Sequence, residues 1–591
     1  MRRTAADHSR LTAAVFLLLV GATITAFFAA QRLKHQPPLL RQKAGDRAFS
    51  PNGDGVKDTA RIKFKLPEQD DVTVTILDDD GGIVARVARN MSLAGQKVHT
   101  LHWDGRTSEG TTAPEGTYSV RVGLRKGGRT ATLAREIELD LEPPKVRLAP
   151  VRGPSRGPFV IDGQLRRGAT VRLAGPGRKP SFSVWRTDRR QPEEVVAHLP
   201  LTGDRSARWD GRIGGRQAPP GTYLIAGEGR DPAGNPGTAP AELPPAETSR
   251  APGGVGVVVR PVAITPPVTP VRAGRTTRVT VEAGGRRYRW TLRRLGGGAS
   301  RGRSKARRLR LRIPPGRAGV YVLTVEAGRH TARAVVPASS GQPRRVLLVL
   351  PKMTWQGRND VDDTGDGLPD SLSRGRSAGF TRPFANGRLP RGFGSSEAPL
   401  IRFLERNRLR YDVATDIGLA RSTQVPFVGY DGVVLAGDTE WFQDSLGKQL
   451  RAFVERGGRV LTLGTESLRR TALIRGGRLR KPSEPSDTDI FGAEIGELRR
   501  SPLELLVQSD RLRLFAGTAG SVGQFEAWEP TTAVERLAAV AGETGGDPVF
   551  VAYRLGRGIV FRPGVTGFPL ALGDDVGPAA ETMKRIWTLL G

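Results

Sequence analysis

At 591 residues the chain exceeds any single hydrophobic core and calls for about four domains. Its 38% hydrophobic and 26% charged residues exclude wholesale disorder, its 75 Gly and 44 Pro call for many turns, and its lack of Cys excludes disulfides, thiol nucleophiles and thiolate metal sites. The net charge of +33, mostly Arg, is spread along the whole length. Such diffuse basicity does not mark a nucleic-acid-binding protein, and no nucleic-acid partner is expected.

The first element is "LTAAVFLLLVGATITAFFAA", Leu11 to Ala30, 20 uncharged residues that span about 30 Å as a helix and so match a bilayer core. It reads as an uncleaved transmembrane anchor, because Phe27 and Phe28 stand where signal cleavage wants small side chains; a cleaved signal peptide is the rival. Arg2, Arg3 and Arg10 keep residues 1–10 as a cytoplasmic tail, although Arg32 and Lys34 weaken that asymmetry. The expectation is a single-pass membrane protein with its bulk extracytoplasmic, beginning with a linker over 31–44.

Short alternating runs follow: "ARIKFKL" (60–66), "DVTVTIL" (71–77) and "TYSVRVGL" (117–124), separated by Gly, Asp and Pro turns, the text of a β-sandwich. "WDGRTSEGTTAPEGTYSV" (103–120) recurs as "WDGRIGGRQAPPGTYLI" (209–225), an internal repeat that makes the region modular. "FSPNGDGVKDTA" with "WDGRTSEG" and "PEGTYSV" resembles the immunoglobulin-like module of the flagellar hook-cap family over about 45–143. A degenerate second copy is expected at 144–243. A third module, 244–340, keeps "AGVYVLTV" (318–325). The resemblance implies a fold and says little of function. Within the third module the basic run "RGRSKARRLRLR" (301–312) alternates Arg308, Arg310 and Arg312 with Leu309, Leu311 and Ile313, one solvated and one buried face of a strand. An anionic envelope polymer is the other reading, and a protein partner is also open.

From Gly341 the period changes. "RRVLLVLP" (344–351), "YDGVVLAG" (430–437) and "RVLTLGTES" (459–467) read as buried strands. "SEAPLIRFLERNR" (396–408) and "DSLGKQLRAFVERGG" (444–458) read as helices, with "GRGIVFRPG" (556–564) and a helix near 577–590 closing the domain. This alternation predicts, for 341–591, an α/β domain with a mostly parallel sheet and functional residues just beyond the strand ends. The order of "LPKMTWQGRND", "GDTEWF" and "ERGGRVLTLGTES" resembles the C-terminal domain of the large subunit of N,N-dimethylformamidase, a relative of class I glutamine amidotransferases. That resemblance implies an iron held by two tyrosines and a glutamate. At the positions matching the tyrosines this chain has Trp355 and Trp441, and tryptophan is no iron ligand, so no iron is expected. The amidotransferase cysteine would fall in the turn Gly464-Thr465-Glu466-Ser467.

All six His lie at or before His330, so the C-terminal domain has neither imidazole nor thiol, which excludes a Cys-His or Ser-His nucleophile and any His-ligated metal within it. Glu440 and Glu466 are the candidate catalytic acids, their other reading being charge at a helix N-terminus. Trp355, Gln356, Asp438, Trp441, Thr465 and Ser467 are the candidate ligand-crevice residues.

Two acidic loops remain. In "SPNGDGVKD" (50–58), Asn52, Asp54 and Asp58 could supply oxygens to Ca²⁺ with Gly55 making the sharp turn, but Ser50 is a poor first ligand and an Asn/Asp-Gly turn sealing the entry to the first strand through side-chain-to-backbone bonds is the favoured reading. "DDTGDGLPD" (362–370) places Asp362, Thr364, Asp366 and Asp370 at calcium-loop spacing, but Ser373 stands where an EF-hand has Glu. A short Ca²⁺ loop and an ion-free acidic turn both fit. The leading expectation is a membrane-anchored spacer presenting a non-catalytic amidotransferase-like domain. The rivals are an amidohydrolase working through strand-end carboxylates and an envelope-polymer adhesin.

Overall fold

The computed structural model describes residues 5–34, 39–126, 128–151, 153–154, 157–162, 168–189, 195–243, 253–342, 344–532, 537–543, 546–573 and 575–591. Strands predominate, with six α-helices among the described residues. The first helix, Ala5–Lys34 (α1), contains Thr12–Ala30, 19 residues of mean hydropathy 2.3 with none of that window buried. It is long and apolar enough to cross a membrane, a test that signal sequences also pass. Arg2, Arg3 and residues 35–38 of the expected linker lie outside the described residues.

The chain divides into two compact units: Met1–Lys145 with Pro176–Lys179 and Gly229–Gly237, and Val146–Gly175 with Pro180–Glu228 and Thr238–Gly591. In the first unit a small sheet of Arg41–Gln42, Ala60–Lys65 and Val98–Trp103 packs on a larger one built around Asp70–Leu77, Ile83–Leu93 and Gly116–Leu124. Along Ala60–Lys65 the alternation is literal, with Ala60, Ile62 and Phe64 buried between more exposed Arg61, Lys63 and Lys65. Trp103 sits in the core 4.9 Å from the Tyr118 ring and donates its indole N–H to the Arg106 carbonyl at 2.9 Å. Tyr118 donates its hydroxyl to the Pro114 carbonyl at 2.6 Å, a tyrosine corner that ties the strand to its incoming turn.

The second unit repeats this chemistry. Trp209 donates to the Arg212 carbonyl at 2.9 Å and Tyr223 to the Pro219 carbonyl at 2.8 Å, their rings 5.0 Å apart. Strand Val255–Val259 pairs antiparallel with residues 221–225, so it completes the second module's sheet and the third module's strands begin at Ala263. In the third module Tyr288–Arg294 (β1), Ala299–Ser304 (β2), Gly319–Ala327 (β3) and His330–Ser339 (β4) form most of the larger sheet. Tyr321 donates to the Arg317 carbonyl at 2.6 Å, a third corner of the same kind.

The C-terminal region is organised by one nine-stranded sheet. Its strands are Val346–Leu350 (β5), Asp412–Thr415 (β6), Gly432–Leu435 (β7), Arg459–Thr462 (β8), Leu503–Asp510 (β9), Ser521–Phe525 (β10), Leu537–Gly542 (β11), Pro548–Leu555 (β12) and Gly558–Arg562 (β13), in the order β6-β5-β7-β8-β13-β12-β11-β9-β10. The expected α/β domain with a mostly parallel sheet is not what forms. Only the pairings from β6 to β13 are parallel, and the four from β13 to β10 are antiparallel. The cause is local. Parallel neighbours need crossovers of a dozen or more residues, whereas β12 turns into β13 through Gly556 and Arg557 alone, with Leu555 paired to Gly558.

Where the sheet is parallel, both faces are covered. Val346, Leu348 and Leu350 pack with helices Glu397–Arg406 (α3) and Pro578–Leu590 (α6), while Leu347 and Val349 pack with Asp444–Glu455 (α5). That double burial is why "VLLVL" is apolar without alternation. The short helices Lys352–Gly357 (α2) and Asp416–Ala420 (α4) leave the ends of β5 and β6.

Candidate functional site

Three chain segments leave the carboxyl ends of β5, β7 and β8 and carry most of the expected site residues. The first is helix Lys352–Gly357 with Trp355, followed by Arg358. Arg358 donates through Nε to Glu440 at 2.6 Å and through Nη1 to Asp438 at 2.9 Å, so one guanidinium bridges both acids of the turn after β7. Burial raises the Glu440 carboxyl above its ordinary value, opposed by Arg358 and Arg470, and Glu466 adds to the rise through its charge. The turns after β7 and β8 touch: a Cβ on Gly464 would stand 2.3 Å from Asp438 Oδ1.

Glu466 lies in the turn after β8 with φ +55, a left-handed backbone unusual for a residue with a side chain, and its side chain is exposed. Its N–H donates to Glu529 at 2.7 Å. Glu529 in turn accepts from Arg562 at 2.5 Å, and Arg562 meets Asp489 at 3.3 Å, all three side chains without solvent exposure. The exposed acid therefore rests on a buried carboxylate–guanidinium–carboxylate triad.

Glu397, in the first turn of α3, belongs to this site although sequence reasoning passed it over. Its Oε1 accepts the Trp355 indole N–H at 2.9 Å, and its buried Oε2 has no hydrogen-bond partner. Burial pushes its carboxyl up to about 8, Asp438's charge adding to the shift while Trp355 and Arg358 oppose it. At neutral pH it holds its proton. An acid opening a helix reads in sequence as charge at the helix dipole, which concealed it.

Other expected residues serve the scaffold. Gln356 is fully buried, its amide oxygen accepting from Asn359 at 3.0 Å and Arg382 at 3.2 Å. Ser467 donates to the Leu463 carbonyl at 3.0 Å and accepts the Thr439 N–H at 3.1 Å. Thr465 is buried. Trp441 is wholly buried, with an indole nitrogen that has no hydrogen-bond partner and a ring so close to Gly357 that a Cβ there would stand 2.9 Å from it. These groups do not fit an iron site of the kind the resemblance implies. Both tyrosine positions present indoles, Trp355 spends its N–H on Glu397, and Glu440 is bound by Arg358.

The acidic loop is a second, separate cluster. Asp362 accepts the N–H groups of Thr364 at 3.0 Å, Gly365 at 2.6 Å and Gly367 at 2.9 Å. Asp370 accepts from the Asp363 and Thr364 N–H groups at 2.8 and 2.9 Å and from the Thr364 hydroxyl at 3.0 Å, and its other oxygen meets Arg376 at 3.2 Å. Asp366 accepts the Leu368 N–H at 3.0 Å and pairs with Arg376. Burial raises Asp362 to about 6; burial and Asp363 raise Asp370, whereas Asp363 is lowered because Asp370, Arg382 and Arg478 together outweigh its own burial. The oxygens at calcium-loop spacing are thus engaged by protein donors, and among the described residues no cluster of three or more acidic or His side chains is arranged to hold a metal ion. The loop docks onto the second module, where the Gly256 N–H donates to the Gly365 carbonyl at 2.9 Å and the Thr187 hydroxyl to the Gly367 carbonyl at 2.5 Å.

Comparison with known families divides the chain in the same way. It holds two recognised domains. Residues 48–128 match the FlgD Ig-like domain, and residues 306–481 match the N,N-dimethylformamidase beta subunit-like C-terminal domain. The second match starts inside the third module and stops before β9, so the antiparallel half of the sheet lies beyond it. The basal-body rod modification protein FlgD of Salmonella typhimurium is 39% identical over 72 residues, 12% of this chain and 30% of that protein, and FlgD of Escherichia coli K12 is 38% identical over 72 residues. The chain therefore spans less than a third of the length of these curated relatives. Among solved structures, FlgD from P. aeruginosa aligns at 26% identity over 18% of this chain and 78% of that one with a TM-score of 0.13. A tetra-tandem repeat from the extending region of a large adhesion protein aligns at 14% identity over 50% and 75%, with a TM-score of 0.17. At those scores neither alignment bears on the architecture of this chain.

Proposed function

We propose that Thr12–Ala30 anchors the protein in a membrane and that its immunoglobulin-like modules present the N,N-dimethylformamidase-like domain outside the cytoplasm, where the strand-end site recognises a ligand or protein partner without cleaving it. The carrying observation is the double engagement of Arg358 with Asp438 and Glu440. Carboxylates already matched by a guanidinium make poor bases and poor metal ligands, and residues 331–591 supply no His or Cys in their place. What remains at the strand ends is a polar, charge-balanced surface beside the exposed Glu466, suited to recognition.

One observation favours the rival amidohydrolase reading: Glu397, neutral at physiological pH, is a proton donor of the sort a carboxylate hydrolase needs. The test is the full chain in neutral detergent, assayed for metal content and for turnover of formamides and primary amides. No turnover and no stoichiometric metal are expected. Turnover abolished by Glu440→Gln, Glu466→Gln or Glu397→Gln would overturn the recognition reading. Protease added to intact expressing cells should digest the modules and the C-terminal domain; protection of both would overturn the topology.

A further inference from the structure

The outer face of the third module's larger sheet is an arginine surface whose register the strand pairings fix. Pairing of β1 with β2 sets Arg289 directly opposite Arg303 and Thr291 opposite Arg301. Pairing of β1 with β3 sets Arg289 opposite Glu326 and Thr291 opposite Thr324, and β3 with β4 sets Thr324 opposite Arg333. One row across the sheet thus reads Arg303, Arg289, Glu326, Thr331, and the next reads Arg301, Thr291, Thr324, Arg333. Like charges directly opposite each other on one face destabilise a sheet, so the fold bears a cost here.

The cost is not offset from within. Glu326 reaches only Arg289, at 3.5 Å with both side chains well exposed, a pair that counts for little in water. Among the described residues Arg301, Arg303 and Arg333 have no acidic partner at ion-pair distance. At the far end of the strands a cavity of about 580 Å³ carries Arg287, Arg289, Arg303 and Lys305 on its walls against the single carboxylate of Glu326, so four cations face one acid there. No large apolar side chain stands exposed on these rows, so the face lacks the inserting groups that membrane-surface binding uses.

We propose that this face binds an extended polycarboxylate, a polymer carrying one carboxylate per repeat, laid across β1 and β2 with its end in the cavity. The spacing suits it. Neighbours across strands are about 5 Å apart and successive outward residues along a strand about 7 Å apart, so consecutive charges of one chain can each meet an arginine fork. A lone small anion would engage one pair and leave the rest unmatched. This proposal is independent of what the strand-end site recognises.

The experiment measures binding of the full chain, in neutral detergent, to polygalacturonate and to inorganic polyphosphate over a range of salt concentrations. Two double variants of equal charge change are compared: Arg301→Glu with Arg303→Glu on the proposed face, and Arg278→Glu with Arg310→Glu, an opposed arginine pair on the module's other sheet. Expected are binding that weakens steeply with salt and an affinity lowered about tenfold or more by the first pair but less than about twofold by the second, with the unfolding temperature of the first variant not lowered, since Arg303→Glu replaces a like-charge pair with Arg289 by an opposite-charge one. Tighter binding to polygalacturonate than to polyphosphate is expected, and binding to polyphosphate alone would overturn the proposal. Equal losses from both variants would reduce the effect to general basicity and overturn it. So would absence of binding to either polymer, or capture by phosphatidylglycerol vesicles or duplex DNA in preference to both.

Discussion

The indole N–H of Trp355 donates to Glu397 at 2.9 Å while the other carboxyl oxygen of Glu397, equally buried, has no partner. A neutral acid tolerates that asymmetry and a carboxylate does not. Because burial lifts this carboxyl to about 8, the folded state binds a proton that the unfolded chain releases near pH 4.5. The contribution to stability is therefore complete below about pH 4.5 and is lost as pH rises through about 8. Glu397→Gln keeps the oxygen facing Trp355 and removes the titration. Denaturant unfolding followed at pH 5 and pH 8.5 should show the variant within about 1 kcal/mol of wild type at the lower pH and more stable than wild type at the higher one. An identical pH dependence in both proteins would refute a protonated Glu397.

Arg562 is the next point of leverage, since its guanidinium stands between Glu529 and Asp489 with no solvent at any of the three side chains. Burial alone would lower its pKa, and the two carboxylates hold it above the ordinary value instead. Replacing Arg562 with Met fills similar volume but leaves two carboxylates buried without a cation. A loss of roughly 3–5 kcal/mol is expected, enough to reduce soluble yield, and Arg562→Lys should recover part of it. A melting temperature unchanged in Arg562→Met would mean that the triad does not hold the turn carrying Glu466.

Much of the N-terminal architecture was readable because its determinants are local. The Trp103 and Tyr118 bonds reach three and four residues along the chain, as do those of Trp209 and Tyr223, so a repeated motif repeats its geometry. The strand "VLLVL" and the helices α3, α5 and α6 were readable for the same reason: periodicity is written in consecutive residues. Whether a strand pairs parallel or antiparallel is not. β9 to β12 alternate poorly, and their ladders carry irregularities at Leu505/Leu506, Val507/Ser509 and Ala541/Gly542, so the antiparallel half of the sheet left a weak trace. The site was half legible. Glu440, Asp438 and Glu466 follow strands, which is what makes them candidates in the sequence, whereas Arg358 and Glu397 act through partners 80 and 42 residues away and carry no motif.

The acidic loop makes a sharper demand on backbone than on charge. Gly365 has φ +92, and a Cβ there would stand 2.6 Å from the backbone of Gly157 in the second module. Gly365→Ala therefore adds left-handed strain of about 1 kcal/mol and a backbone clash that no side-chain rotation relieves. The expected result is a destabilisation of about 2–4 kcal/mol, read by calorimetry, with faster amide exchange across residues 362–370. Asp366→Asn, changing charge at a more exposed position, should cost less. The reverse ranking would mean that electrostatics rather than docking holds the loop.

Arg358 offers the most direct test of the strand-end site. Its guanidinium is largely buried, matched to Asp438 and Glu440, and close enough to Glu397 to oppose that residue's pKa rise. Arg358→Gln retains some hydrogen-bonding reach and removes the charge. Among the described residues Glu440 would then keep only the more distant Arg470, at 3.7 Å, as an ion-pair partner, with the charge of Glu466 against it, and Asp438 would keep none. Without the Arg358 guanidinium the folded-state pKa of Glu440, already raised by burial, rises further above the unfolded one, so stability is present at low pH and lost as pH rises. The variant should cost little at pH 4.5 and about 1–3 kcal/mol at pH 8, the upper end discounted because the cluster is partly solvated. Equal destabilisation at both pH values would show that Arg358 contributes packing alone, and the charge-balanced surface on which ligand recognition rests would lose its basis.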